Sequence, residues 1–222
     1  MPSRGSRGFT LVEMLVTVLL IGIGAALVVW GFGAQKERER LRGASLELRG
    51  ALLQARQAAL SSGNRVVVML FPNFPTDGKG SQGRIILYED ADATFFQATA
   101  PVNFEGYDPA STAAGPRSQV IDTMDLPFLV TVGPADGWGP GTAAPAPYAN
   151  IPLDRACAFC TGLGARGAIV FDPVGTVSFY DRNGPALGLP GAALSLTARD
   201  TGEVKTVLVG ANGSMLGMFT NR

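Results

Sequence analysis

Between Glu13 and Lys36 the chain carries no charged residue, and most side chains in that run are apolar. More than twenty such residues, rising about 1.5 Å each in a helix, span roughly 30 Å, the thickness of a bilayer's hydrocarbon core. The run predicts a transmembrane helix over residues 9–34. Glu13, near its start, is the anomaly. A carboxylate in apolar surroundings costs several kcal/mol unless it is paired, which marks Glu13 as a functional residue. The flank ahead, residues 1–8, holds Arg4 and Arg7. The positive-inside rule then keeps the N-terminus in the cytoplasm and exports the rest. A secretory signal would have a shorter apolar region and a small-residue cleavage site beyond it, whereas this run passes straight into a charged helical pattern at 35–42.

Two features of composition narrow the function. The 222 residues include no histidine. That removes the usual general base, the usual imidazole metal ligand and any Ser-His-Asp or Cys-His arrangement, so an enzyme is not expected. Formal net charge is zero, which argues against general attraction to nucleic acid or anionic lipid.

From 35 to 63 the pattern predicts that the same helix continues as an amphipathic segment. Leu41, Ala44, Leu48, Leu52, Ala55 and Ala59 follow the three- and four-residue spacing of one apolar face. A second line, Leu46, Leu53 and Leu60, recurs every seven residues, with Arg42, Arg49 and Arg56 beside it. That second line lies either under the rim of a sheet or against a neighbouring subunit. Ser61-Ser62-Gly63-Asn64 supplies helix-stop chemistry.

Residues 64–222 read as a β-rich globular domain. Strands are expected at 65–71 (RVVVMLF), 84–89 (RIILYE), 120–124, 128–132, 167–171, 176–181, 192–199 and 204–209, with short ones at 94–97 and 214–219. Asp172-Pro173-Val174-Gly175 is a turn, and Asp200-Thr201-Gly202 closes a hairpin. Residues 133–165, rich in Gly, Pro and Ala, form a long surface excursion. The fold class is therefore α+β, a long N-terminal helix packed on an antiparallel β-sheet domain.

Gly8-Phe9-Thr10-Leu11-Val12-Glu13-Met14-Leu15 resembles the N-terminal signature of type IV pilins and pseudopilins. The resemblance implies that residues 1–8 are a leader cut between Gly8 and Phe9 by a prepilin peptidase, that Phe9 becomes an N-methylated terminus, and that Glu13 is the assembly glutamate. The pairing has a physical reason. The new Phe9 amine is a cation at the membrane edge, and Glu13 is an anion in hydrocarbon, so each relieves the other within one helix or between neighbours. Residues 167–177 (GAIVFDPVGTV) look like the late-strand turn of H-type minor pseudopilins of type II secretion and FimT/FimU-like minor pilins. The partners implied are other pilins or pseudopilins, the peptidase and an inner-membrane assembly platform, with the β-domain in the periplasm and then in a pilus or pseudopilus. No cofactor is implied.

The remaining motifs are weaker. Cys157-Ala158-Phe159-Cys160 lacks further Cys or His for zinc, so a local disulfide outside the inner membrane is expected. Asp181-Arg182-Asn183-Gly184 and Glu89-Asp90-Ala91-Asp92 lack EF-hand spacing and are read as turns, not metal sites. The glycines at 162–167 have no helix after them and are loop punctuation. Trp138, Tyr148 and Phe159 are expected to fold onto the domain rather than meet a partner. The rival to a filament subunit is a membrane-anchored periplasmic binding module or enzyme acting through its β-domain alone, which would need a convergent polar pocket. The line Arg42, Arg49, Arg56 lies on the helix, so DNA binding is not expected.

Overall fold

The computed structural model describes residues 10–76, 82–132, 144, 146, 148–149, 151, 160, 166–181, 184–185 and 191–220, without the side chains of 28–34 and a few strand residues. Among the described residues one helix, α1 (Leu11–Ser62), runs for 52 residues and is followed by ten strands. The chain divides into two compact units, Met1–Lys36 and Glu37–Arg222.

In the first unit α1 exposes its apolar side chains on all sides, including Leu11, Val12, Leu15, Val18, Leu19 and Ile21. Among the described residues no helix is long and apolar enough to cross a membrane.

The second unit carries the expected α+β architecture. β1 (Arg65–Pro75), β2 (Gln82–Asp90), β3 (Gln119–Asp125), β4 (Val130–Val132) and β5 (Gly167–Phe171) are followed by β6 (Val177–Asp181), β7 (Gly184–Pro185), β8 (Gly191–Ala198), β9 (Val204–Gly210) and β10 (Met215–Thr220). They form two sheets, ordered β3-β2-β1-β5-β6-β7 and β10-β9-β8-β4, and every pairing is antiparallel. The two-sheet division is not visible in the sequence. It arises between β3 and β4, where Leu126 N–H donates to the Gly83 carbonyl and Val130 N–H to that of Pro127. Leu129 there adopts a φ of 70°, a left-handed conformation unusual for a bulky side chain. Asp125–Pro127 therefore turns the chain from one sheet to the other.

The main core joins one face of α1 to both sheets. Leu41, Ala44, Leu48, Leu52, Ala55 and Ala59 are buried with Val66, Val68 and Leu70 of β1, Leu194 and Leu196 of β8 and Val207 and Val209 of β9. The helical spacing seen in the sequence is thus the packed face. The helix ends as its stop signals predict: Gly63 takes a φ of 73° and donates to the Ala59 carbonyl at 3.2 Å.

β1 is apolar at consecutive positions because both faces of its sheet are covered. Val67, Met69 and Phe71 point away from α1 into a second core with Tyr88, Phe95, Phe104 and Tyr107. The segment between β2 and β3 supplies this aromatic cover. The strand expected at 94–97 is a turn instead. The Asp90 carboxylate accepts the N–H groups of Thr94 and Phe95, at 3.2 and 3.4 Å, so neither is available to a ladder. Tyr148 is buried with Ile151, Ala193 and Leu208, as expected, while Trp138 and Phe159 lie outside the described residues.

Candidate assembly site

The described site begins at Thr10. Its hydroxyl oxygen accepts the Glu13 N–H at 3.3 Å, and its carbonyl accepts the Met14 N–H at 3.2 Å, the first helical bond. Thr10 is thus the N-cap, an interaction worth about 1 kcal/mol in typical helices. Glu13 is the acid of the first turn, three residues on. Thr-x-x-Glu at this spacing is the sequence mark of a capping box, a local signal masked by the long apolar run around it. The cap fixes where α1 starts and places the Glu13 carboxylate beside the positive end of the helix dipole. The Glu13 carbonyl accepts the Thr17 hydroxyl at 2.7 Å, which satisfies a second polar group in the run. Gly8 and Phe9, the other two residues of the expected site, lie outside the described residues.

The second unit begins at Glu37, and there α1 is held by two charged side chains. Glu37 is only 3% exposed and accepts the Asp200 N–H at 2.8 Å in the β8–β9 turn. Arg38 pairs with Glu203 of the same hairpin at 3.5 Å. In the sequence this clasp has no signal, because Glu37 looks like one more charge in the run Lys36–Arg40.

Leu46, Leu53 and Leu60 are 60%, 47% and 53% exposed. Of the two alternatives for that line, the sheet rim is therefore excluded within the second unit. Gly43 and Gly50, on the same face, have open space where a Cβ would stand. Arg42 and Arg49 are exposed and Arg56 half-buried.

The acidic clusters serve the fold. Asp92 accepts the backbone N–H and guanidinium of Arg117 and the Ser118 hydroxyl, and the Arg117 bonds hold its carboxyl below the ordinary range. Glu89 is lowered in the same sense by Asn64 and Gln119, whereas burial pushes Asp90 upward. Among the described residues no group of three or more His, Cys, Asp or Glu could hold a metal ion. Asp181 and Gly184 are paired where β6 turns into β7, while Arg182 and Asn183 lie outside the described residues. Cys160 is disulfide-bonded; Cys157 lies outside the described residues. At the end of the glycine-rich stretch, Gly167 opens β5, so the run leads into a strand. Asp172-Pro173-Val174-Gly175 is the expected turn, with Gly175 N–H donating to the Asp172 carbonyl at 2.9 Å and a Gly175 φ of 90°.

Residues 3–29 match the family model described as the prokaryotic N-terminal methylation motif, a span that contains Gly8, Phe9, Thr10 and Glu13. No curated protein and no solved structure matches the chain. The match supports a type IV pilin-like precursor of the kind processed by a prepilin peptidase.

Proposed function

We propose that this protein is a minor pilin or pseudopilin, a structural subunit of a type IV pilus or type II secretion pseudopilus. The methylation motif at residues 3–29 carries the reading. Cleavage between Gly8 and Phe9 releases residues 1–8, and methylation of the new Phe9 amine follows. The segment 9–34 holds the precursor in the inner membrane with its N-terminus cytoplasmic and residues 64–222 periplasmic. It then moves from lipid into a bundle of like helices on the assembly platform. Glu13 sets the register by pairing with the Phe9 amine of a neighbour, because an unpaired acid in hydrocarbon is expensive. Cys157 and Cys160 close a local disulfide.

Two observations agree with an assembly role. The large apolar residues from Leu11 to Ile23 are exposed. The second unit binds α1 on one face only, leaving the other for partners. Replacing Glu13 tests the role. Glu13→Ala should still insert in the membrane and be processed, yet enter filaments poorly. Wild-type incorporation would remove Glu13 from the mechanism.

A further inference from the structure

The segment between β2 and β3 does more than cover its sheet. It reaches across β1 and β5 to β6, where Phe96 stacks on Tyr180 with ring centroids 4.0 Å apart. Beside that stack a cavity of about 170 Å³ opens on the surface. Phe95, Phe96, Phe104 and Tyr180 supply its aromatic wall, and Glu105 and Asp181 its two carboxylates. No basic side chain stands among the described residues that line it. Arg166 donates to the carbonyls of Phe104, Glu105 and Tyr107 and lies over the Phe71 ring, outside that lining. Of the two acids Glu105 is the exposed one, and its carboxylate has no hydrogen bond or ion pair with another described residue. The loop that carries it is fixed in advance. The Asn103 side chain donates to the Ala100 carbonyl at 2.9 Å and accepts the Gly106 N–H at 2.8 Å, which lowers the cost of ordering the site around a ligand.

Aromatic rings and carboxylates attract the same ligand, a cation. A guanidinium suits them better than an ammonium. It is planar and weakly hydrated, stacks on rings, and meets a carboxylate through two N–H groups. The volume is below the roughly 300 Å³ at which small-molecule pockets begin, so the cavity takes one side chain rather than a larger ligand. A second cleft of about 300 Å³ borders the same Asn103 and carries Val102, Tyr107 and Asp108. A polypeptide that places an arginine in the first cavity can continue into the second. We propose that the aromatic cavity between the 95–105 loop and β6 receives an arginine side chain of a partner protein, whose neighbouring residues lie in the adjoining cleft.

Saturation-transfer NMR on the full chain in uncharged maltoside micelles tests it. Acetyl-arginine amide should bind, and its neutral citrulline counterpart should bind about tenfold more weakly. Acetyl-lysine amide should fall between the two. An alanine-arginine-alanine tripeptide, capped at both ends, should bind more tightly than the single residue. Phe96→Ala should weaken arginine binding about tenfold by removing one ring of the wall. Glu105→Gln, an exposed change that leaves the ring stack in place, should weaken it about fivefold. Asp122→Asn, on β3 at the far edge of the same sheet, should leave it unchanged. The proposal is overturned if arginine does not bind, if citrulline or lysine binds as well, or if Asp122→Asn weakens binding as much as Glu105→Gln. A tripeptide that binds no better than the single residue makes the cavity a site for a free amino acid and rejects the partner protein. None of these results depends on cleavage after Gly8, so failure here is distinct from failure of the filament role.

Discussion

The two ends of α1 are made from similar residues and live by different rules. From Leu11 to Ile23 every apolar face is exposed. From Leu41 to Ala59 the apolar residues divide into a buried line and an exposed one. The second unit supplies its own cover: two sheets meet one side of the helix, and Glu37 and Arg38 hold the β8–β9 hairpin. Among the described residues the first unit has no such cover. On the proposed function, burial there comes first from lipid and then from like helices.

The contrast can be broken most severely in the buried line. Leu48→Ala should cost about 3 kcal/mol, the usual range for emptying a fully buried leucine site, read as a drop in the thermal midpoint of the full chain. Leu15→Ala, on the exposed end, should leave that midpoint unchanged. Next comes the clasp. Glu37→Ala leaves the Asp200 N–H without its charged acceptor and should cost about 2 kcal/mol. Hydrogen exchange should show the loosening first at the β8–β9 turn.

Acid provides a smaller and reversible perturbation of the second unit. Glu89 and Asp92 have carboxyls held below their ordinary values of 4.5 and 3.8. A depressed folded value gives stability that is present above the unfolded value and lost as pH falls through the folded one. Asp90 acts in the opposite sense, since burial raises its value above 3.8, and its contribution is lost as pH rises through the folded value. Melting should therefore move down below about pH 4, and Asp90→Asn should steepen that fall by removing the opposing group. An unchanged acid profile in Asp90→Asn would show that Asp90 does not titrate with the fold.

The least effect belongs to the exposed line. Leu53→Ala should change the stability of the chain by less than about 0.5 kcal/mol, read as an unchanged thermal midpoint. A large loss of monomer stability would mean the stripe is packed within its own domain, and the two faces of α1 would no longer differ as described.

The same contrast governs what could be read from sequence. The buried line from Leu41 to Ala59 was legible because a packed helix writes its period into the chain. The hairpin of β8 and β9 was legible from Gly202, whose φ of 66° fits the turn. The two-sheet division was not, since it depends on Leu129 accepting a left-handed conformation with no glycine to announce it. Nor was the aromatic cover: Phe95, Phe104 and Tyr107 belong to irregular chain held by Asp90, Arg84 and Arg166, and such cover has no period. At the candidate site Glu13 stood out because charge is costly in an apolar run. Thr10 did not, because a cap is a single hydrogen bond between neighbours in sequence.

The central claim is that the exposed end of α1 is made to leave lipid for a filament after its leader is removed. Intact mass and N-terminal fragmentation of the mature chain test this most directly. The account predicts a chain that begins at Phe9 and is heavier by one methyl group on its α-amine. A mature chain still beginning at Met1, or cut downstream of the apolar run, would contradict it.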